Sequence, residues 1–245
     1  MDAVILAAGK GQRMLGYTVP FFKPLLEVNG ITLLAYAVEY AAAAGAEKTV
    51  VVVSPRNVEP VERVLAGYSS WVKLVTQDEP RGPGHATLVG IRGLGVSSRA
   101  MLLMSDNIMD QTRVIEMSVT AEVDQANAVG VRTVPAAQAT RFTRIRRGAT
   151  DGRYTFVEGT ELEADDLDPA TGKATVWCGP VILDTPRALA ILEREWSARE
   201  RDERELKIGP YLTEILRAPT RLHDVGAMDV GVPAAFEAAM AGAAR

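Results

Sequence analysis

The chain has 245 residues, 47% of them hydrophobic and 24% charged, with a formal net charge of -4. That length admits one large α/β domain or two small ones with a substantial core, and the acidic balance argues against a nucleic-acid-coating protein, which needs excess Lys and Arg to displace counterions. One cysteine, Cys178, excludes an intrachain disulfide and a cysteine-rich zinc site, and with two histidines a His/Cys metal cluster is disfavoured.

Short β-branched runs alternate with longer amphipathic segments. Strands are expected at Ala3 to Leu6, Thr49 to Val53, Lys73 to Thr76, Ala100 to Met104, Asn127 to Thr133, Tyr154 to Glu158 and Val176 to Leu183. Helices are expected at Leu33 to Ala44, which Gly45 ends, and at Val58 to Leu65, Gly84 to Gly93, Arg187 to Glu203 and Pro210 to Ala218. The first four strands and their helices read as βαβ units, hence an α/β, Rossmann-like, open and mostly parallel sheet flanked by helices. After about residue 135 the strands shorten and charged loops appear, so a single domain with a regular first half and a less regular second half, about 136 to 245, is expected. The charge run from Glu193 to Lys207 reads as a solvated helix face. The chain opens on a strand without a leader pattern, and no apolar run approaches bilayer-spanning length, so a soluble cytoplasmic protein without membrane or nucleic-acid partners is expected.

Chemistry first shows in the opening thirty residues. The strand Ala3 to Leu6 runs into Ala7-Ala8-Gly9-Lys10-Gly11-Gln12-Arg13-Met14, and Lys23-Pro24-Leu25-Leu26 follows. Small residues and glycines let a backbone approach a ligand closely, while Arg and Lys are the side chains used on phosphate oxygens. The loop is neither G-x-G-x-x-G nor G-x-x-x-x-G-K-[ST], so neither a dinucleotide fingerprint nor a P-loop applies.

With Gly9, Gly11, Arg13, Thr18 and Lys23 in register, the loop resembles the sugar-1-phosphate nucleotidyltransferases, the nucleoside-diphospho-sugar pyrophosphorylase family, whose signature is G-x-G-T-R-L-x-P-x-T-x-x-x-P-K-x-L. Three positions depart from it, Gln12 standing for the Thr and Gly16 and Phe22 for prolines, whose loss removes backbone stiffening rather than chemistry. Three later segments extend the resemblance. Gln77, Gly82 and Gly84 match Q-x-x-x-x-G-[TP]-[GA]-[HQ]-A, where the family sets a glutamine amide and a glycine backbone on the nucleobase; the amide's donor and acceptor together suit uracil, thymine or, after flipping, cytosine. His85 is expected to cap or pack rather than to exchange protons. Ser105-Asp106-Asn107 follows a buried strand where the family carries G-D-N or a variant, and a strand-end Asp beside phosphates suits Mg²⁺. Asp229-Val230-Gly231-Val232-Pro233 matches the family's D-[VI]-G-T-P, which implies Asp229 as second metal ligand, although Asp224-Val225-Gly226 has the same shape five residues earlier.

The resemblance implies the reaction NTP + sugar 1-phosphate → NDP-sugar + pyrophosphate. On it, Leu6, Ala7, Ala8, Gly9, Gly11, Gln77 and Gly82 bind nucleotide, Arg13, Lys23 and Asp106 are catalytic, and Asp106 with Asp229 holds Mg²⁺. Glu158 and Gly179 are expected on the acceptor. The E-K-P lysine of hexose-phosphate enzymes is missing after Glu158, and Trp177-Cys178-Gly179 lacks the family's sugar-contacting Asn. Either Arg144, Arg146 or Lys173 replaces that cation, or the acceptor is different, as in cytidylyltransferases acting on phosphocholine or a phosphonate. A non-catalytic nucleotide-binding regulator is a third reading, self-association is in keeping with the family, and the acyltransferase domain of bifunctional uridylyltransferases is not expected.

Overall fold

In the computed structural model, which describes residues 1–11, 14, 16–17, 22–148, 153–199, 205–216, 219–230 and 232–243, the first apolar run forms β1 (Asp2–Ala7). It is followed by β2 (Glu27–Val28), β3 (Ile31–Thr32), α1 (Leu33–Ala43), β4 (Thr49–Val53), α2 (Val58–Leu65), β5 (Val72–Thr76), α3 (Pro83–Leu94) and β6 (Arg99–Met104). The second half contains β7 (Asn107–Ile108), α4 (Gln111–Val123), β8 (Asn127–Pro135), α5 (Ala136–Ala139), β9 (Arg144–Arg147), β10 (Tyr154–Val157) and β11 (Lys173–Asp184). It ends with α6 (Thr185–Arg199), α7 (Gly209–Ile215), β12 (Thr220–Asp224), β13 (Met228–Asp229) and α8 (Pro233–Ala243).

Nine of the strands form one mixed sheet among the described residues. Strands β6, β1, β4 and β5 lie side by side and parallel, as βαβ units require. Strand β11 closes the free edge of β6 antiparallel and passes on to β8 and β9, while β12 adds parallel to β8. The first half is therefore parallel, and the second half joins it through antiparallel pairing.

The period-2 alternation of β1 divides the core. Ala3, Ile5 and Ala7 face α1, α2 and α4, whereas Val4, Leu6 and Ala8 face α3, α6 and α7. Fully burying each Val, Leu or Ile contributes roughly 1.5–3 kcal/mol, so a central strand covered on both sides is rigidly held. Helix α1 starts at Thr32, whose hydroxyl accepts from Ala35 N at 3.1 Å, and ends in Gly45 at φ +77°. Helix α4 was not expected. Its β-branched residues lower helix propensity, and Ile115, Val119 and Val123 on its outer side are exposed, which blurs the amphipathic pattern; Asp110 caps it by accepting from Thr112 N at 2.9 Å. Strand β12 was not expected either: residues 220–224 pair parallel with β8.

Arg144 and Arg146 prove to be structural. Arg144 is 1% exposed; its guanidinium donates to Gly159 O and Glu161 O, each at 3.0 Å, and its Nε lies 3.1 Å from Asp166 Oδ2. Arg146 grips Asp166 with two bonds, of 2.7 and 3.0 Å. Burial pushes the Asp166 carboxyl up, but the Arg146 bonds, the Glu163 N–H and the Arg144 charge outweigh it and hold the group down at about 2. Lys173 stands exposed at the start of β11, paired in the ladder with Pro135.

Helix α3 approaches the sheet through glycines. A Cβ on Gly90 would overlap Val4 Cγ1 and stand 3.0 Å from Val52 Cγ2; one on Gly93 would stand 2.9 Å from Val75 Cγ1. Alanine favours a helix interior over glycine by about 1 kcal/mol, yet at position 90 it meets stiff, fully buried valines, and overpacking costs roughly 1–3 kcal/mol. Gly90→Ala is therefore expected to lower the urea unfolding midpoint despite its helix propensity; a raised midpoint would contradict this packing.

Candidate active site

The parallel strands β1, β5 and β6 end at one edge of the sheet, and a cleft of about 360 Å³ opens there. Ligands collect at the carboxyl ends of strands in such sheets. Each strand delivers one part of the wall: β1 leads into Leu6, Ala8, Gly9, Lys10 and Gly11, β5 into Gln77, and β6 into Met104, Ser105 and Asp106. An adjoining hollow of about 360 Å³ shares Ala8, Gln77 and Pro80 and continues past Ser54 and Arg56 at the end of β4.

The first loop folds back on itself. Gly11 has φ +62°, a left-handed conformation that favours glycine, and a Cβ there would stand 3.0 Å from Lys23 Cβ. Gly9 has nothing within 4 Å of where a Cβ would be, so its backbone is open to the cleft. Ala7 turns its methyl to the opposite core face and does not line the cleft. Arg13 and Thr18 lie outside the described residues.

Lys23 begins the short turn Lys23–Leu25 and is 8% exposed. Its Nζ donates to Asp106 Oδ2 in an ion pair that joins the first loop to the end of β6. Asp106 is held by its backbone as well: Ser105 N donates to Leu6 O at 3.2 Å, and Asp106 O accepts from Val230 N at 3.0 Å. Strand β13 pairs antiparallel with β7, setting Asp229 opposite Asn107. Asp224, in contrast, accepts from Gly226 N at 2.9 Å and lies 3.4 Å from Arg113 Nη1, an exposed turn and ion pair away from this ladder. The backbone thus brings Asp229, not Asp224, beside the Asp106–Asn107 turn.

Gln77 is 4% exposed, and its backbone N–H donates to Val53 O at 2.8 Å. Its side-chain amide lies 3.1 Å from Gly82 O and 3.0 Å from His85 Nδ1. Gly82 is at φ +90° at the N-terminus of α3. A Cβ on Gly82 would stand 2.7 Å from Leu206 O, and one on Gly84 2.5 Å from Lys207 O. Both glycines are required because residues 205–208 run across this turn: Leu206 N donates to Arg81 O at 2.8 Å and Gly84 N to Leu206 O at 2.7 Å. Through Glu205 the same segment lines the cleft. His85 stacks on Trp196 with ring centroids 4.1 Å apart. Burial first, then Arg81 and Arg92, push the His85 imidazole below its ordinary range, against Glu79.

Glu158 follows β10. Its Oε2 lies 3.1 Å from Lys207 Nζ, its Oε1 accepts from Thr143 Oγ1 at 3.3 Å, and Gly209 leaves the space that its carboxylate fills. The cation beside Glu158 therefore comes from the segment before α7. Arg144 and Arg146 are committed to Asp166. Gly179 sits in a β-bulge of β11, where its carbonyl accepts from Trp177 Nε1 at 2.8 Å. A Cβ there would stand 3.1 Å from Met109 Sδ and 3.3 Å from Val225 Cγ2, which gives that glycine a packing reason.

Sequence reasoning passed over Lys10, Glu205 and Lys207. Lys10 stood inside the G-K-G string; the other two were hidden in a charge run taken for a helix face, whereas residues 205–207 carry no helix.

Comparison with known proteins agrees with this geometry. A family model described as the MobA-like NTP transferase domain matches residues 3–202. The bifunctional protein GlmU of Geobacter sulfurreducens is 31% identical over 182 residues, covering 73% of this chain and 37% of that protein. GlmU of Streptococcus sanguinis is 29% identical over 192 residues, covering 78% of this chain and 39% of its own. The chain thus spans less than half the length of these curated relatives. A solved UDP-glucose pyrophosphorylase complexed with UDP-glucose is 22% identical, with a TM-score of 0.73 over 99% of this chain and 98% of that one, a likeness of fold. With the family model matching most of its length, the chain belongs to the MobA-like NTP transferase domain family, and its likeness to the sugar-1-phosphate nucleotidyltransferases reaches well beyond the opening loop.

Proposed function

We propose that this protein transfers a nucleotidyl group from a pyrimidine nucleoside triphosphate to a sugar 1-phosphate, releasing pyrophosphate, in the cytoplasm and with Mg²⁺. The observation that carries the reading is the convergence of Lys23, Asp106 and Gln77 on one cleft at the carboxyl ends of β1, β5 and β6. An anion-handling lysine, a strand-end carboxylate and a base-reading amide are what the reaction asks of a protein.

In this reading an oxygen of the acceptor phosphate attacks the α-phosphorus in line. A new P–O bond forms as the bond to the β-phosphate oxygen breaks, and pyrophosphate leaves with the electron pair. No protein base is needed, because the attacking phosphate is already an anion near neutral pH; positioning and charge neutralisation carry the rate. The open backbone at Gly9 and Gly11, with Lys10 beside it, suits the triphosphate, and Arg13 belongs to the same loop in sequence. Lys23 would exchange its bond to Asp106 for the α-phosphate and the incoming acceptor phosphate.

Among the described residues no three His, Cys, Asp or Glu groups cluster to form an all-protein metal cage. Mg²⁺ does not require one, since it binds through one or two carboxylates and completes its shell with water and substrate phosphates. Asp106, with Asp229 set by its backbone opposite Asn107, would supply hard-oxygen donors of that kind. When bound, the ion would offset charge on the phosphates as it develops.

For the acceptor we infer that Glu158 meets sugar hydroxyls and that Lys207, 3.1 Å from it, supplies the cation that no lysine next to Glu158 provides. The test is pyrophosphate release from CTP, UTP and dTTP with Mg²⁺, across sugar 1-phosphates, phosphocholine and aminoethylphosphonate. Release dependent on one sugar 1-phosphate is expected, with Asp106→Asn lowering kcat by roughly 100-fold or more. Release with phosphocholine or the phosphonate alone would transfer the reading to a cytidylyltransferase, and nucleotide binding without release on any acceptor would contradict catalysis. Lys207→Met is expected to raise the acceptor KM roughly ten-fold while leaving the NTP KM unchanged; an unchanged acceptor KM would exclude Lys207 from that site.

A further inference from the structure

The two bonds made by the Gln77 side chain have a consequence for what the cleft can read. Gly82 O accepts hydrogen bonds and cannot donate, so the amide group turned toward it at 3.1 Å is the NH₂. His85 Nδ1 stands 3.0 Å from the same nitrogen. The second amide hydrogen points there, and it needs a lone pair. Nδ1 must therefore be bare, with the imidazole neutral and its proton on Nε2. Both amide hydrogens are thereby used, and among the described residues no protein group donates to Oε1. The ring that receives the bond is itself held, stacked on Trp196 of α6 with an interplanar angle of 26°. A glutamine amide that could otherwise rotate to present either end is locked with its oxygen available to the cleft that Gln77 lines.

We propose that His85 is a positioning residue that, with Gly82 O, fixes the polarity of the Gln77 amide, so that the cleft offers a nucleobase a hydrogen-bond acceptor and favours a base whose ring N3 carries a hydrogen. The imide N3–H of uracil or thymine is such a donor, whereas N3 of cytosine is an acceptor and meets the amide oxygen with repulsion. The inference rests on the reading that Gln77 faces the base during nucleotidyl transfer. Protonated His85 would present Nδ1–H to the amide nitrogen, donor against donor. That clash opposes the orientation that Gly82 O still requires, so the amide loses its single well-held orientation and the preference weakens.

The surroundings of the ring keep it in the form that the lock needs. Arg81 from the preceding loop and Arg92 from α3 oppose protonation, as does burial against α6, whose Glu193 is engaged by Arg92. Glu79 favours it but is itself bound by Arg81, Nε to Oε2 at 2.6 Å.

The experiment is calorimetric titration of UTP and CTP, with Mg²⁺, into the wild type, His85→Phe and His85→Asn between pH 8 and 5. Phenylalanine keeps a ring on Trp196 but has no acceptor; asparagine returns an acceptor oxygen near the place of Nδ1. Wild type is expected to prefer UTP, and His85→Phe to reduce the UTP-to-CTP affinity ratio roughly ten-fold, the size expected for a mispaired polar group. His85→Asn should restore the ratio. The wild-type ratio should also fall as pH drops through the range in which His85 takes a proton, while that of His85→Asn stays level. An unchanged ratio in His85→Phe, a His85→Asn as impaired as His85→Phe, or a wild type that does not discriminate would overturn the inference. A wild type that binds neither nucleotide would instead overturn the reading on which it rests.

Discussion

The ion pair between Lys23 and Asp106 is the contact on which the cleft depends. Each charge is largely withdrawn from water, and each would be costly to bury alone, since the desolvation of a lone ion amounts to several kcal/mol. Together they tie the segment at Lys23 to the end of β6 and hold the two sides of the cleft in register. The pairing also suits a switch of partners. On the proposed reading, a carboxylate and an ammonium that satisfy one another can each take an opposite charge from a metal-bound triphosphate without either being left unpaired.

The opposite wall is built from backbone rather than charge. Helix α3 can sit low on β1, β4 and β5 only because Gly90 and Gly93 face the valines there, and its N-terminus can pass under residues 205–208 only because Gly82 and Gly84 lack side chains. The low seat brings Gly82 O within reach of Gln77, and the overlying segment carries Glu205 into the cleft and Lys207 to Glu158. On the proposed reading, one set of close backbone approaches positions both the base-reading amide and the acceptor cation, so base and acceptor recognition are mechanically linked.

Much of the first half was legible because its signals are local. The runs that became β1, β4, β5 and β6 are short and separated by helical segments, and Gly11, Gln77, Gly82 and Asp106 all stand within a few residues of the end of a strand. The second half was harder because its decisive partners are distant in sequence. Arg144 and Arg146 look like free cations until Asp166 folds onto them. Lys207 looks like part of a helix face until its segment crosses α3 and meets Glu158. Gly179 stands far in sequence from Met109 and Val225, the two residues that a side chain there would meet. Helix α4 escaped notice because β-branched residues and an exposed apolar stripe mask its period.

The central claim is that Lys23 and Asp106 separate to take opposite charges of a metal-bound triphosphate. The most direct measurement is a crystal structure of the protein with Mg²⁺ and the non-hydrolysable analogue α,β-methylene-UTP. The account predicts that Lys23 Nζ leaves Asp106 for a phosphate oxygen and that metal density appears against the Asp106 carboxylate. A bound analogue with Lys23 still on Asp106 and no metal beside it would contradict the account.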